Sequence, residues 1–441
     1  MAKQHQPSCK LVLSQKGSML LNIEGYLFAK SKQLGDICYW NCVEKKSGYC
    51  PSYASTIEFG TPVVCSHGEH NHPPWAEETD VARRRDALRQ AIKRARREDF
   101  LAKTRSLTDI NVPQHLREIG GELFLAKDTT FADNRILIFA TLENIRKLQE
   151  APYWVMDGTF KTCHTMFHHL CSIHAMVGTD ESTQRFLPLV YGLLSSKSEE
   201  CYKKFFSDLQ DYAEENDIEL APQYIMTDFE LATINAAKSE FPCSTQKCGL
   251  FHLSQNIWRS IQSAGLGDQN GAESDFSIQM RQLQALAFLP ESEIPSAFVK
   301  LKTHMPRNAA PVIQYFEENF VLGKSRNAIR ISPCYPPSIW SVAENNDLGI
   351  PRTQNELEGW HQRWNTILGQ RTLGVFNLIT HLIMEQRNTK NQIELVIGNV
   401  ARTLPCKDDV SKEKALQTCA RNRDALDTLT FLRGIAHNLR P

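Results

Sequence analysis

The sequence lacks the features that would place the protein in a membrane or outside the cell. It has no window of about 18 consecutive apolar residues, so a membrane-spanning helix is not expected. Its first residues, MAKQHQPSCK, contain no apolar stretch followed by a cleavage site, so a secretory signal is not expected either. The 13 cysteines are an odd number scattered over 441 residues, which argues against a disulfide framework and favours a reducing compartment.

Net charge is also absent, because 50 Lys+Arg balance 50 Asp+Glu. Neutrality alone gives no reason to expect a nucleic-acid partner. The charges are unevenly distributed, however: residues 1–105 hold 17 basic and 11 acidic residues, whereas residues 106–441 hold 33 and 39. With 41% hydrophobic residues the chain can build packed cores, and its length predicts roughly two to four domains.

The basic excess is concentrated in residues 83–105, RRRDALRQAIKRARREDFLAKTR, which contain no Pro or Gly and therefore favour a helix. Residues 74–105 are predicted to form a basic helical linker. Such a segment can bind phosphate backbones or direct nuclear import, and a merely solvated linker is the alternative interpretation. The candidate DNA-binding residues are Arg83, Arg84, Arg85, Lys93, Arg94, Arg96 and Arg97.

Residues 11–73 predict a small β module that holds a metal ion. LLNIEGYLFAK and DICYWNC alternate apolar and polar residues, as strands do. A module with so few core residues gains much of its stability from a metal, and zinc takes four Cys or His ligands. His70 and His72 share one side of an extended segment because side chains alternate along a strand. The favoured quartet is Cys42, Cys50, His70 and His72, and the alternatives are Cys38, Cys65 and His67.

This module resembles the FLYWCH-type zinc finger. The resemblance is carried by GYLFAK, YWNC, GYC and HGEHNH, that is by Tyr26, Phe28, Trp40, Cys42, Cys50, His70 and His72. The first strand reads MLLNI where the family often has a Phe, which is a minor departure. The resemblance implies a small β-sheet finger with a structural Zn²⁺, used for DNA or protein recognition.

The remaining sequence predicts a mixed α/β domain. Residues 106–150 are predicted to be a helical pre-core segment, since LENIRKLQE has apolar residues three to four positions apart. Over 151–260 the pattern predicts three strands in a meander, followed by strands that alternate with helices. Asp157 lies in the first strand and Asp228 at the end of the fourth. Residues 261–345 are predicted to be a helical insertion, 346–400 a helical core segment and 401–441 a helical tail.

The segments MDGTFKTC, MTDFELATINA, FHLSQNIWR and RTQNELEGWHQRWN resemble the MULE transposase domain, over about 150–370. The resemblance implies an RNase H-like mixed sheet that is split by the helical insertion. It also implies a catalytic triad of Asp157, Asp228 and Glu358, which would bind two Mg²⁺ or Mn²⁺ ions, with Glu356 as the competing third acid. One departure is the order Cys248-Gly249, since the family usually has Gly before Cys.

The implied chemistry suits these residue types. Two divalent cations about 4 Å apart can stabilise the charge that develops during phosphodiester cleavage, and hard cations prefer carboxylate ligands. His252 and His361 are predicted to be structural residues or to contact the acids without binding the metal themselves. Four tryptophans are predicted to be core residues: Trp154, Trp258, Trp360 and Trp364.

Two functional hypotheses follow. The first is a nuclear DNA transposase that binds double-stranded DNA, cuts it and transfers strands at element ends, with a homo-oligomer as a further possibility and no membrane partner. The second is a domesticated descendant that uses the same scaffold as a non-catalytic DNA-binding regulator of transcription. A shared fold cannot distinguish the two.

Overall fold

The computed structural model describes residues 9–13, 19–45, 50–57, 63–72, 74, 106–159, 166–269, 274–326, 329–345, 355–369, 373–402 and 407–439. The chain divides into two compact units, Met1–Arg105 and Ser106–Pro441. Apart from Pro74, the predicted basic linker, with its seven candidate DNA-binding residues, lies outside the described residues. Among the helices that are described, none is both long and apolar enough to cross a bilayer.

The first unit contains an antiparallel sheet of six strands whose spatial order follows the chain. Its strands are β1 (Cys9–Leu13), β2 (Met19–Ile23), β3 (Tyr26–Leu34), β4 (Ile37–Cys42), β5 (Tyr53–Ile57) and β6 (Val63–His67). Gly25 adopts a φ of 87° in the tight turn between β2 and β3, a conformation that favours glycine. The core is small, and its largest side chain, Trp40, is fully buried and donates a 2.9 Å hydrogen bond to Thr56 Oγ1.

The second unit is built on a mixed sheet of seven strands, which lie in the spatial order Thr245–Cys248, Tyr224–Thr227, Tyr153–Thr159, His169–Val177, Arg185–Leu194, Asn134–Phe139 and Leu125–Phe131. The central strands β11 (Tyr153–Thr159), β12 (His169–Val177) and β13 (Arg185–Leu194) form an antiparallel meander, which confirms the prediction for this segment. Strands β14 (Tyr224–Thr227) and β15 (Thr245–Cys248) run parallel to β11. Parallel pairing places the ends of β11 and β14 at the same edge of the sheet.

The prediction of a helical segment over 106–150 is wrong for most of its length. A small hairpin of β7 (Glu118–Ile119) and β8 (Glu122–Leu123) is followed by β9 (Leu125–Phe131) and β10 (Asn134–Phe139), which extend the main sheet. Only α1 (Leu142–Glu150) is an α-helix. The physical reason is that NRILIF is a short apolar run buried on both faces of the sheet. Such a run shows neither helical nor alternating periodicity, so the sequence pattern does not identify it as a strand.

Helices cover both faces of the sheet. On one face α1 and α2 (Glu199–Glu214) pack on Ile136 and Ile138. On the other face α9 (Asn355–Leu368) and α10 (Val375–Ile397) pack on Leu137 and Phe139. The two helices that follow β14 and β15 are α3 (Leu231–Glu240) and α4 (Leu250–Ser263).

The predicted helical insertion is largely helical. It contains α5 (Asp275–Ala285), α6 (Ile294–Lys302), α7 (Ala310–Phe316) and α8 (Pro337–Trp340). It also contains an unpredicted two-stranded sheet, β16 (Lys324–Arg326) and β17 (Ile329–Ile331). The tail forms α11 (Lys407–Arg421) and α12 (Thr428–Asn438), and α12 shares the apolar core of the insertion through Phe431, Leu432 and Ile435.

Candidate functional site

Four side chains of the first unit converge as metal ligands would. Cys42 ends β4, Cys50 precedes β5, and His70 and His72 follow β6. One ligand atom from each lies within 4.8 Å of all the others. Cys42 Sγ is 3.1 Å from His72 Nε2, and Cys50 Sγ is 3.4 Å from His70 Nδ1. Ligands around a tetrahedral zinc are separated by about 3.4–3.8 Å, given bonds of about 2.1–2.3 Å, so the four residues fit this ion.

The surroundings of the quartet also suit a buried metal. Tyr26 stacks on the His70 ring with a centroid distance of 3.7 Å and an interplanar angle of 6°, which fixes the plane of that imidazole. Burial raises the pKa of the Cys42 thiol to about 11 in the absence of a cation. A bound Zn²⁺ would reverse that preference and stabilise the thiolate. This Cys₂His₂ set therefore supports a structural zinc site.

The alternative ligands fall into two groups. Cys38 is fully buried in the finger core and does not belong to the quartet. The side chains of Cys65 and His67 lie outside the described part of the chain. Tyr26, Phe28 and Trp40, which carried the resemblance, all lie at or next to the metal site or its core.

The three predicted acids of the second unit line one open cavity of about 800 Å³. Asp157 lies near the end of β11, and Asp228 directly follows β14, the strand parallel to it. Glu358 lies in the first turns of α9. Although they are far apart in the sequence, these residues share the cavity because the parallel strands β11 and β14 end at one sheet edge and α9 brings Glu358 to the same cavity.

Asp157 is held by groups on three elements. His361 Nε2 lies 2.9 Å from Asp157 Oδ2 and His252 Nε2 lies 3.9 Å from it, while the Gly158 N–H donates a 2.6 Å hydrogen bond to Oδ1. Burial by itself raises the pKa of Asp157, but the contact with His361 and the charge of His252 outweigh it. The pKa of this carboxyl therefore lies below its ordinary value.

Asp228 has the opposite electrostatic environment. Burial, followed by repulsion from Asp157 and Glu230, raises its pKa to about 6. The Cys248 thiol lies 3.5 Å from the Asp228 carbonyl oxygen, so the exchanged Cys-Gly order still leaves a cysteine in contact with this segment. A cation beside Asp228 would relieve the repulsion between the carboxylates.

The two candidates for the third acid occupy different environments. Glu358 is half-buried and lines the cavity. Glu356 has a side chain that is 50% exposed and forms an ion pair with Arg402 at 3.0 Å. The geometry therefore groups Glu358, and not Glu356, with the two aspartates.

The donor set of the cavity suits a hard divalent cation in chemical type. The carboxylates of Asp157, Asp228, Glu230 and Glu358 line it, and burial together with repulsion from Asp157 and Glu230 raises the pKa of Asp228. Within the described residues, however, only the finger quartet forms a ligand cluster of three or more atoms as tight as 4.8 Å. The three predicted acids are not part of that cluster.

The cavity contains charged residues that the sequence reasoning missed: Lys197, Glu230 and Arg259. Arg259 could have been found, because His252, Gln255, Asn256 and Arg259 recur at helical spacing and so share one face of α4. Lys197, which follows β13, carried no such signal. The positively charged side chains of Lys197 and Arg259 would lie beside any polyanion bound next to the carboxylates.

Both predicted histidines lie beside Asp157, with Nε2 atoms 2.9 Å (His361) and 3.9 Å (His252) from its Oδ2. One of the tryptophan predictions is wrong. Trp154, Trp360 and Trp364 are buried, but Trp258 is 38% exposed on α4. Trp258 lies on the solvent-facing side of this amphipathic helix, so its aromatic character did not indicate burial. Trp360 Nε1 donates a 2.8 Å hydrogen bond to Glu385 of α10, which also binds Arg363 of α9.

Two protein-family models match this chain. Residues 11–72 match the FLYWCH zinc finger domain, and residues 153–256 match the MULE transposase domain. The chain contains a FLYWCH zinc finger domain followed by a MULE transposase domain. The first match includes all four zinc ligands. The match to the MULE domain includes Asp157, Asp228 and His252, and it ends before Glu358 and His361. A comparison with curated proteins found no match.

Proposed function

We propose that the protein is a transposase-like DNA-binding protein whose second unit cleaves phosphodiester bonds and transfers strands at element ends. The observation that carries the proposal is the shared cavity of Asp157, Asp228 and Glu358. It is supported by the order of the two matched domains. In this proposal the sheet and its helical insertion have the RNase H-like arrangement.

Mg²⁺ or Mn²⁺ would be held by the three carboxylates and would supply charge stabilisation at the scissile phosphate when bound. The chain's own residues have separate tasks. His361 and His252 fix the direction of the Asp157 carboxylate, and burial keeps bulk water from competing for it. Lys197 and Arg259 lie on the cavity wall, where they can contact the phosphates that flank the cut.

The finger and the linker have recognition roles in this proposal. The zinc-bound sheet recognises DNA, and the basic segment 83–105 binds phosphates and directs the protein to the nucleus. Fusion of the whole chain to a fluorescent protein tests the location. We expect nuclear fluorescence that is lost when residues 83–97 are deleted, and unchanged fluorescence after that deletion would contradict this role.

A cleavage assay tests the catalytic part of the proposal. The full zinc-loaded chain is incubated with terminal-repeat DNA and Mg²⁺ or Mn²⁺, beside Asp157→Asn and Asp228→Asn. We expect metal-dependent nicking by the wild type only. DNA binding by all three proteins, measured in the same samples, separates loss of chemistry from loss of folding. Absence of nicking by a wild-type protein that binds DNA would reject the enzyme proposal.

One observation favours the second candidate, a non-catalytic DNA-binding regulator of transposon origin. His361 Nε2 lies 2.9 Å from Asp157 Oδ2, so this carboxylate already has a partner within the protein. For this candidate, the two aspartate variants would bind DNA and regulate a reporter gene as well as the wild type does.

A further inference from the structure

The helical insertion carries a short β ribbon, here defined as Lys324–Arg326 of β16 and Ile329–Ile331 of β17. All six residues of the ribbon are exposed. The exposed fractions of Ile329 and Ile331 reach 69% and 53%, which is high for large apolar side chains. Neither the predicted transposase chemistry nor the finger uses this element.

The register of the ribbon sorts its side chains onto two faces. Lys324 lies opposite Ile331, and Arg326 lies opposite Ile329. Directly opposed residues point to the same face, as do residues two apart on one strand. The outer face therefore combines Lys324, Arg326, Ile329 and Ile331. Ser325 and Arg330 form the inner face and line a cavity of about 660 Å³ in the insertion.

The positive charge on the outer face has no acidic residue beside it in the sequence of the ribbon and its flanks. Residues 319–343 contain three basic residues and no Asp or Glu. The nearest acids in the chain before the ribbon, Glu317 and Glu318, line the cavity on its inner face, and Glu317 already pairs with Lys302. In the described part of the chain, no ion pair involves Lys324 or Arg326.

The base of the ribbon is fixed in position. Gly323 adopts a φ of 79°, and a Cβ at this position would lie 1.8 Å from the Ile331 carbonyl oxygen, so only glycine allows the two strands to meet here. The Gly323 N–H also donates a 3.1 Å hydrogen bond to the Glu317 carbonyl. The ribbon is thus presented by a defined turn of the insertion.

We propose that the outer face of this ribbon binds double-stranded DNA at a site separate from the acidic cavity. The major groove admits a two-stranded ribbon, and two cations on one strand of it can contact the phosphates that border the groove. The isoleucines then contact sugars or base edges, as apolar side chains contact the thymine methyl group in the major groove. This inference rests on the DNA partner of the proposed function and adds a second contact to it.

The salt dependence of binding tests the two cations. The full zinc-loaded chain is titrated with a duplex of about 30 base pairs at several salt concentrations, and fluorescence anisotropy gives the binding constant. For Lys324→Gln with Arg326→Gln we expect the slope of log K against log salt to become shallower by about 2, since each lost phosphate contact changes it by about 0.9. The matched control, Arg146→Gln with Lys300→Gln, removes the same charge from exposed helix positions and leaves the slope unchanged.

Further variants decide between occupants of the face. Ile329→Ser with Ile331→Ser is expected to weaken DNA binding several-fold at every salt concentration without changing the slope. Equal slopes for the ribbon and control variants would overturn the inference while leaving the proposed DNA binding intact. A ribbon variant that changes the oligomeric state, or the binding of an acidic protein, with DNA affinity unaltered would also overturn it. A wild type that binds no duplex at any salt concentration would reject the proposed function as well.

Discussion

At the residue scale, two glutamates separated by one position have different roles. Each residue of an α-helix is rotated about 100° from the previous one, so Glu356 and Glu358 point in nearly opposite directions from α9. Glu358 reaches the cavity of the aspartates, and Glu356 reaches Arg402. Two glutamates that are two positions apart on one helix therefore have different surroundings: Glu358 is a candidate metal ligand, and Glu356 forms a surface ion pair.

This difference gives a matched test within one helix. We expect Glu358→Gln to lower metal-dependent nicking at least about 100-fold, because a carboxylate that stabilises developing charge is removed. Glu356→Gln should retain nearly all activity, since an exposed ion pair contributes little to stability. Initial nicking rates at saturating Mg²⁺ measure both. The reverse result would identify Glu356 as the third acid.

At the element scale, α9 depends on its neighbour α10 for its position. Glu385, whose side chain is 3% exposed, accepts hydrogen bonds from Trp360 Nε1 at 2.8 Å and from Arg363 Nη1 at 2.8 Å. These three residues connect the helix that carries Glu358 and His361 to the helix packed behind it. The position of Glu358, the proposed third acid, thus depends on Glu385, a residue that the sequence did not single out.

Removal of this connection should destabilise the second unit. We expect Glu385→Ala to lower the free energy of unfolding by about 2–3 kcal/mol, because Arg363 and the Trp360 N–H lose a shared, buried acceptor. Denaturant unfolding followed by near-ultraviolet circular dichroism measures the change. Arg433→Ala, which breaks the exposed pair with Asp275, is the control and should change stability by less than about 0.5 kcal/mol. Equal losses of unfolding free energy in the Glu385→Ala and Arg433→Ala variants would contradict the role of Glu385 in holding α9 against α10.

At the scale of the whole molecule, the two units should respond differently to chelation. The finger has a small core around Trp40 and four converging ligands, whereas the second unit has several large apolar cores. Zinc removal should therefore unfold the finger strands and leave the melting transition of residues 106–441 unchanged. Hydrogen exchange with and without a chelator measures the unfolding of the finger. Thermal denaturation under the same two conditions measures the melting transition of residues 106–441. Protection of β3–β5 that survives chelation would contradict a structural metal.

The ligand assignment has its own control. Cys50→Ser should abolish stoichiometric zinc binding, while Cys38→Ser should retain one zinc per chain, because Cys38 lies in the core outside the quartet. Zinc content of the purified variants, measured by atomic spectroscopy, decides. Loss of zinc from Cys38→Ser, with the fold retained, would return Cys38 to the candidate ligands.

The sequence by itself determined the parts of this protein that are encoded locally. Alternation predicted the finger strands, and apolar runs followed by amphipathic segments predicted the order from β11 to α4. The resemblance of short motifs identified the two domains, which the family matches confirm. Each of these features depends on neighbouring residues, so a short window of sequence contains the necessary information.

Only the tertiary structure decided which distant residues meet. It showed that residues 125–139 complete the sheet. The sequence could not predict this, because a strand buried on both faces has no alternation of apolar and polar residues by which to recognise it. It grouped Glu358 with Asp157 and Asp228, brought His361 to 2.9 Å from Asp157, and placed cations on one face of a ribbon. These arrangements arise from the packing of elements that are remote in the chain, and no local pattern specifies how such elements are oriented.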